Sequence, residues 1–103
     1  MIKFTKTKIK GLEIIIPKKI TDNRGYFSRL FCSNLFLKKG LNKIVQVNKS
    51  FSKKKFTVRG MHYQLPPFSE DRVVGCSKGK ILDVAIDLRK NSKTLGKWHS
   101  EIL

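Results

Sequence analysis

Residues 80–88 read KILDVAIDL, and this stretch decides the fold class. In an extended chain successive side chains point to opposite sides, so Leu82, Val84, Ile86 and Leu88 make one apolar face. Asp83 and Asp87 fall on the other face with Ile81 and Ala85. The spacing predicts a strand with one side turned to a core.

Working outward, the neighbouring stretches carry the same signature. Arg72–Ser77 (RVVGCS) precedes KILDVAIDL, and Lys78-Gly79 between them reads as a tight turn. Trp98–Leu103 reads as extended. Toward the N-terminus, Phe56–Gln64 is a further candidate strand, closed by Pro66-Pro67 because proline donates no ladder hydrogen bond. Lys43–Phe51 alternates, with Val45 and Val47 expected to be buried and Gln46, Asn48 and Ser50 on the opposite side. That polar side faces either water or a cavity. Gly11–Pro17 (GLEIIIP) is a β-branched run ended by proline. One helix is expected within Tyr26–Lys38, where apolar residues recur at helical spacing before Gly40. Many short strands predict an all-β antiparallel sandwich or barrel. The length of 103 residues suits a single domain with a modest core.

Composition narrows the classes. The chain is 40% hydrophobic with seven Phe, as in folded globular proteins. No apolar run approaches the roughly 20 residues that cross a bilayer. Lysines interrupt the N-terminal MIKFTKTKIK, so no signal-peptide core is read there and a cytoplasmic location is expected. Cys32 and Cys76 lie outside any CxxC spacing and read as free thiols. His62 and His99 are not at ligand spacing, so neither a metal nor a cofactor is expected.

A net charge of +16 invites a nucleic-acid reading. Yet the basic residues are overwhelmingly lysines spread along the chain, with one short run at Lys53-Lys54-Lys55 read as a solvated turn between strands. Base-edge readout favours arginine. Nucleic acid is therefore expected only as a non-specific partner at low salt.

Chemistry concentrates in Arg59-Gly60-Met61-His62-Tyr63-Gln64. Taken by itself, His62 is a packing residue, a metal ligand or a base. Arg59 and His62 are three apart and would face opposite sides of a regular strand, unless Gly60 hosts a bulge. Asp83 and Asp87 read equally as solvated carboxylates, Arg24-Gly25 as a plain turn and Phe27 as a helix-face core residue.

Four ordered stretches carry a resemblance: DNRGYFSRLF (22–31), QVNKSFSKKKFTVRGMHYQLPP (46–67), RVVGCSKGKILDVAIDLRKNS (72–92) and TLGKW (94–98). Together they resemble the dTDP-4-dehydrorhamnose 3,5-epimerases, whose members read like D-x-RG-x-F, Q-x-N-x-S, RG-x-HYQ-x-PP, a DVAVD strand and GKW. The resemblance implies a cupin-like jelly roll, here partial over residues 1–103. It implies epimerisation of a dTDP-4-keto-6-deoxy sugar in rhamnose and O-antigen biosynthesis, without a cofactor, by a homodimer.

By the same resemblance His62 is the base that removes the protons α to the keto group. Arg72 stands where the family has a lysine facing the enolate oxygen, and Asp83 helps organise the polar site. Arg24, Phe27, Gln46, Asn48 and Arg59 would hold the nucleotide: arginine forks grip a diphosphate and an aromatic stacks on thymine. The chain departs from the family at Arg29, where a glutamate is usual, and at Gly75, where an arginine is usual. Family chains continue past GKW, and their acid tyrosine and base-orienting aspartate lie there. The expectation is thus a truncated chain impaired as an epimerase. A non-catalytic nucleotide-sugar-binding module is the alternative, and a basic nucleic-acid-associated protein a further one.

Overall fold

The computed structural model describes residues 1–103, which divide into two compact units: Met1–Leu30 with Val74–Leu103, and Phe31–Val73. The first unit holds all the strands, as three antiparallel two-stranded sheets.

β1 (Ile2–Lys6) pairs with β2 (Glu13–Pro17), Phe4 standing opposite Ile15. β2 is strand because Ile14, Ile15 and Ile16 are stiff at χ1 and fit a pleated surface. The connecting loop is closed from within. The Thr7 hydroxyl donates to the Leu12 carbonyl at 2.8 Å and accepts from the Ile9 amide at 3.2 Å. Gly11 at φ +86° supplies the left-handed turn, and Ile9 is buried beneath the loop. β3 (Lys19–Asp22) pairs with β4 (Gly25–Ser28) through a tight turn at Asn23-Arg24, where the Arg24 amide donates to Asp22 Oδ1 at 2.8 Å.

β5 (Leu82–Ile86) pairs with β6 (Trp98–Ile102), so KILDVAIDL and the Trp98–Leu103 stretch are strands as read. Asp83 faces Glu101 across the pair and Ala85 faces His99. Below β5, Asp87 is not the solvated carboxylate of the bland alternative, for its side chain is 1% exposed. Its carboxylate accepts from Arg89 Nε at 2.9 Å, from Arg89 Nη2 at 3.0 Å, from Thr94 Oγ1 at 2.6 Å and from the Ser92 hydroxyl. Burial of a carboxylate requires this number of donors. The Arg89 guanidinium, then the Ser92 and Thr94 hydroxyls, hold the Asp87 carboxyl far below the usual carboxylate range.

The second unit contains α1 (Ser33–Lys38) and otherwise irregular chain. Phe36 is its buried side chain, 2% exposed, meeting the Phe31 ring edge-to-face at 5.0 Å. Gly40 at φ +85° ends the helix as a C-terminal glycine does. Asp71 Oδ2 accepts from both the amide and the side chain of Asn42 at 2.9 Å, tying the two ends of the long loop together.

Here the structure corrects several expectations. The helix is confined to Ser33–Lys38, because Gly25–Ser28 is taken by β4. Lys43–Phe51, Phe56–Gln64 and Arg72–Ser77 are not strands. Alternation makes a strand only where a second stretch of chain supplies the ladder, and these stretches have no paired neighbour. Val45 and Val47, expected inside, are 87% and 88% exposed. Lys53–Lys55 does form an exposed turn, but it joins no strands.

Candidate active site

Five of the eight sequence-predicted site residues lie in the second unit, and all five are exposed: Gln46, Asn48, Arg59, His62 and Arg72. Gln46 and Asn48 meet, Asn48 Nδ2 donating to Gln46 Oε1 at 3.0 Å. Residues two apart share a side in extended chain, and this bond follows from that spacing. It leaves the Gln46 amide nitrogen and the Asn48 oxygen for a ligand.

Arg59 is partly engaged, its Nη2 donating to the Phe51 carbonyl at 2.8 Å across the lysine turn. Within the same turn the Thr57 hydroxyl donates to the Lys54 carbonyl at 2.7 Å. Two contacts therefore brace the loop that leads into Arg59, and Arg59 itself stays exposed.

His62 is placed by Gly60. This residue sits at φ +111°, a conformation open to glycine and closed to ordinary side chains. The reversal brings the imidazole back over Gly60, so that a Cβ there would stand 3.3 Å from His62 Nδ1. The bulge expected at Gly60 is thus a reversal outside any strand. No ion pair or hydrogen bond to another side chain holds the imidazole. Arg72 is paired with Glu70, Nε to Oε1 at 2.9 Å, and both side chains are about half exposed or more. Exposed pairs of this kind are weak and yield to a better anion.

The other three predicted residues lie in the first unit. Arg24 forks onto Asp22, Nη2 at 2.6 Å and Nε at 3.2 Å, with its side chain 85% exposed. The Asp22 carboxylate pushes the Arg24 guanidinium above its usual range and is itself held below its own. Phe27 is on β4 opposite Ile20 and is exposed, so it is not the helix-face core residue of the bland reading. Asp83 is half-buried on β5.

One feature of this unit escaped the sequence reading. His99 Nε2 and Glu101 Oε2 lie 2.8 Å apart on β6, on the face that carries Asp83. The signal was available as a histidine and a carboxylate two apart in WHSEIL, which any strand brings to one side.

A chain whose regular structure is antiparallel strand apart from one short helix defines a class, the all-β proteins. A family model described as dTDP-4-dehydrorhamnose 3,5-epimerase matches residues 6–103, and the chain belongs to that family. The epimerase of Sinorhizobium fredii is 43% identical over 94% of this chain and 50% of its own length. That of Shigella flexneri is 40% identical over 90% and 52%.

Among solved structures, the Bacillus anthracis epimerase, determined with TDP and PPi bound, covers all of this chain and 59% of its own at TM-score 0.92 and 31% identity. The Elizabethkingia anophelis enzyme covers 99% and 56% at TM-score 0.87 and 38% identity. The fold class is the antiparallel, cupin-like jelly roll of these epimerases. The chain spans about half the length of the curated relatives it matches. No helix is long and apolar enough to cross a membrane.

Proposed function

We propose that this chain carries the base and nucleotide-gripping residues of a dTDP-4-dehydrorhamnose 3,5-epimerase. The observation that carries the reading is the family match over residues 6–103, together with the exposed, unpaired imidazole of His62 inside RG-x-HYQ-x-PP. The substrate is a dTDP-linked 4-keto-6-deoxy sugar. Its reacting carbons, three and five, both lie α to the keto group.

His62 takes the proton from the α carbon, and the electron pair of that C–H bond moves onto the keto oxygen as an enolate. A neutral imidazole suits this step because its ordinary pKa is close to neutrality. Arg72 released from Glu70 supplies positive charge to the enolate oxygen. Asp83 orders the polar site. Inversion is completed when the carbon regains a proton on the opposite face from a group other than His62.

The nucleotide is gripped by Arg24 and Arg59 at the diphosphate, by Phe27 against thymine, and by Gln46 and Asn48 through their unspent amide groups. Both arginines are tied only by exposed contacts, which a diphosphate displaces. Residues 1–103 act as one partial epimerase domain, located in the cytoplasm, whose partner is a second copy of itself. The exposed Val45, Val47, Phe51, Phe56 and Val58 are the apolar surface such pairing would cover.

Titration with dTDP and with a DNA duplex at two salt concentrations tests the reading. Saturable dTDP binding that survives the higher salt is expected, with DNA binding lost. Salt-sensitive DNA binding and no dTDP binding would overturn it. A chain that binds dTDP but exchanges no substrate proton is a binding module instead.

A further inference from the structure

One concavity of the first unit is strongly cationic and shares no lining residue with the set named above as gripping the sugar nucleotide. A cavity of about 670 Å³ in the first unit is lined by Lys8 and Lys10 from the β1–β2 loop and by Arg89, Lys90 and Lys93 from the loop after β5. We propose that this basic bowl binds a small anion carrying several phosphate groups.

Four observations converge on it. Its charge is uncompensated: Asp87 is the carboxylate in contact with the bowl's wall and is neutralised by Arg89, while Lys8, Lys10, Lys90 and Lys93 enter no ion pair. Four lysines lining one open space repel one another, and a multivalent anion relieves that repulsion.

Both walls are also fixed before any ligand arrives. On one, the buried Asp87 clamps Arg89, Ser92 and Thr94, and the Gly96 amide returns to the Asp87 carbonyl at 2.8 Å. On the other, Thr7 closes its loop and Ile9 is buried, which fixes the backbone that carries Lys8 and Lys10. Fixing the backbone that carries the lysines in advance removes part of the entropic cost of binding.

The third observation is chemical. Lysine ammoniums are compact point charges without the planar fork that selects a carboxylate, and Arg89 has already spent its fork on Asp87. Main-chain N–H groups of Asn91 and Lys93 make no hydrogen bond within the chain and add neutral donors. Lysines with free amides suit phosphate oxygens. The fourth is size, for the cavity falls within the roughly 300–1,000 Å³ typical of small-molecule sites.

The proposal does not depend on the epimerase reading, and its test is separable from it. Inorganic tripolyphosphate is titrated calorimetrically into the full chain, with sulfate at equal ionic strength as the control for bare charge. One saturable site per chain is expected, together with amide shifts confined to residues 8–11 and 89–94. The triple variant Lys8→Ala/Lys10→Ala/Lys93→Ala is expected to weaken binding at least tenfold and to leave dTDP binding unchanged.

A second triple variant, Lys53→Ala/Lys54→Ala/Lys55→Ala, removes the same charge elsewhere and should change tripolyphosphate affinity less than threefold. All six lysines are exposed, so neither variant disturbs packing. Equal weakening by the two variants, unsaturable binding, or sulfate matching tripolyphosphate would overturn the proposal. Preference for a DNA duplex over tripolyphosphate at the same residues would overturn it as well.

Discussion

Replacing Phe36 by alanine removes the one side chain that the second unit buries almost completely. A buried phenylalanine withdraws about 150–250 Å² from water. At about 25 cal/mol per Å² this corresponds to about 4–6 kcal/mol. Denatured chains already bury part of that area, which lowers the figure by roughly 10–40%, and alanine retains some of it. The edge-to-face contact with Phe31 is lost too, worth about 0.5–1.5 kcal/mol. A loss of about 3 kcal/mol follows, at the lower end of measured Phe→Ala substitutions.

Helix α1 has six residues and cannot stand without this anchor. The assay is amide hydrogen exchange at Phe36, Lys39 and Leu41, whose N–H groups donate to Cys32, Leu35 and Phe36 carbonyls at 3.0–3.1 Å. At about 1.4 kcal/mol per factor of ten, Phe36→Ala should speed their exchange by about two orders of magnitude. Val45→Ala, at an 87% exposed position, should leave the same amides within twofold. Acceleration below threefold in Phe36→Ala would refute the claim that Phe36 organises this unit.

Two further outcomes follow from other residues. Gly60→Ala forces a side chain into φ +111° and sets its Cβ against His62 Nδ1, so a cost of about 1–3 kcal/mol and a shifted His62 ring resonance are expected. Gly75→Ala, with open space around its Cβ, is the neutral control, and equal effects by NMR and thermal melting would remove the role given to Gly60. Asp87 has a folded-state pKa depressed by Arg89, Ser92 and Thr94, so the native chain takes up this proton less readily than the unfolded chain. Its stabilisation is complete above the unfolded value of about 4 and is lost as pH falls below it toward the folded value. Urea midpoints should fall below about pH 4 more steeply in the wild type than in Asp87→Asn; parallel acid limbs would contradict the clamp.

The strands that a single chain segment can complete were legible in the sequence. GLEIIIP and KILDVAIDL carry their patterns locally, and each finds a partner within its own unit. Lys43–Phe51 and Phe56–Gln64 carry patterns as clear, yet form no ladder, because pattern specifies a face and not the neighbour that pairs with it. The first part of Tyr26–Lys38 differs for the opposite reason: apolar spacing fits a helix there, but Gly25 and the Asp22 side chain make a hairpin. Asp87 was invisible as a buried group, since its donors come from a loop with no periodicity. At the candidate site, the sequence named the residues and grouped Gln46 with Asn48. It did not reveal that Arg24 and Arg72 spend their charge on carboxylates two positions away.

Whether His62 removes a substrate proton is the central claim. The direct measurement is deuterium uptake from D2O at carbons three and five of a dTDP-4-keto-6-deoxy sugar, followed by NMR, with wild-type chain and His62→Ala. Uptake by the wild type and its loss in His62→Ala is the predicted result. No uptake by the wild-type chain, or uptake undiminished in His62→Ala, would contradict it.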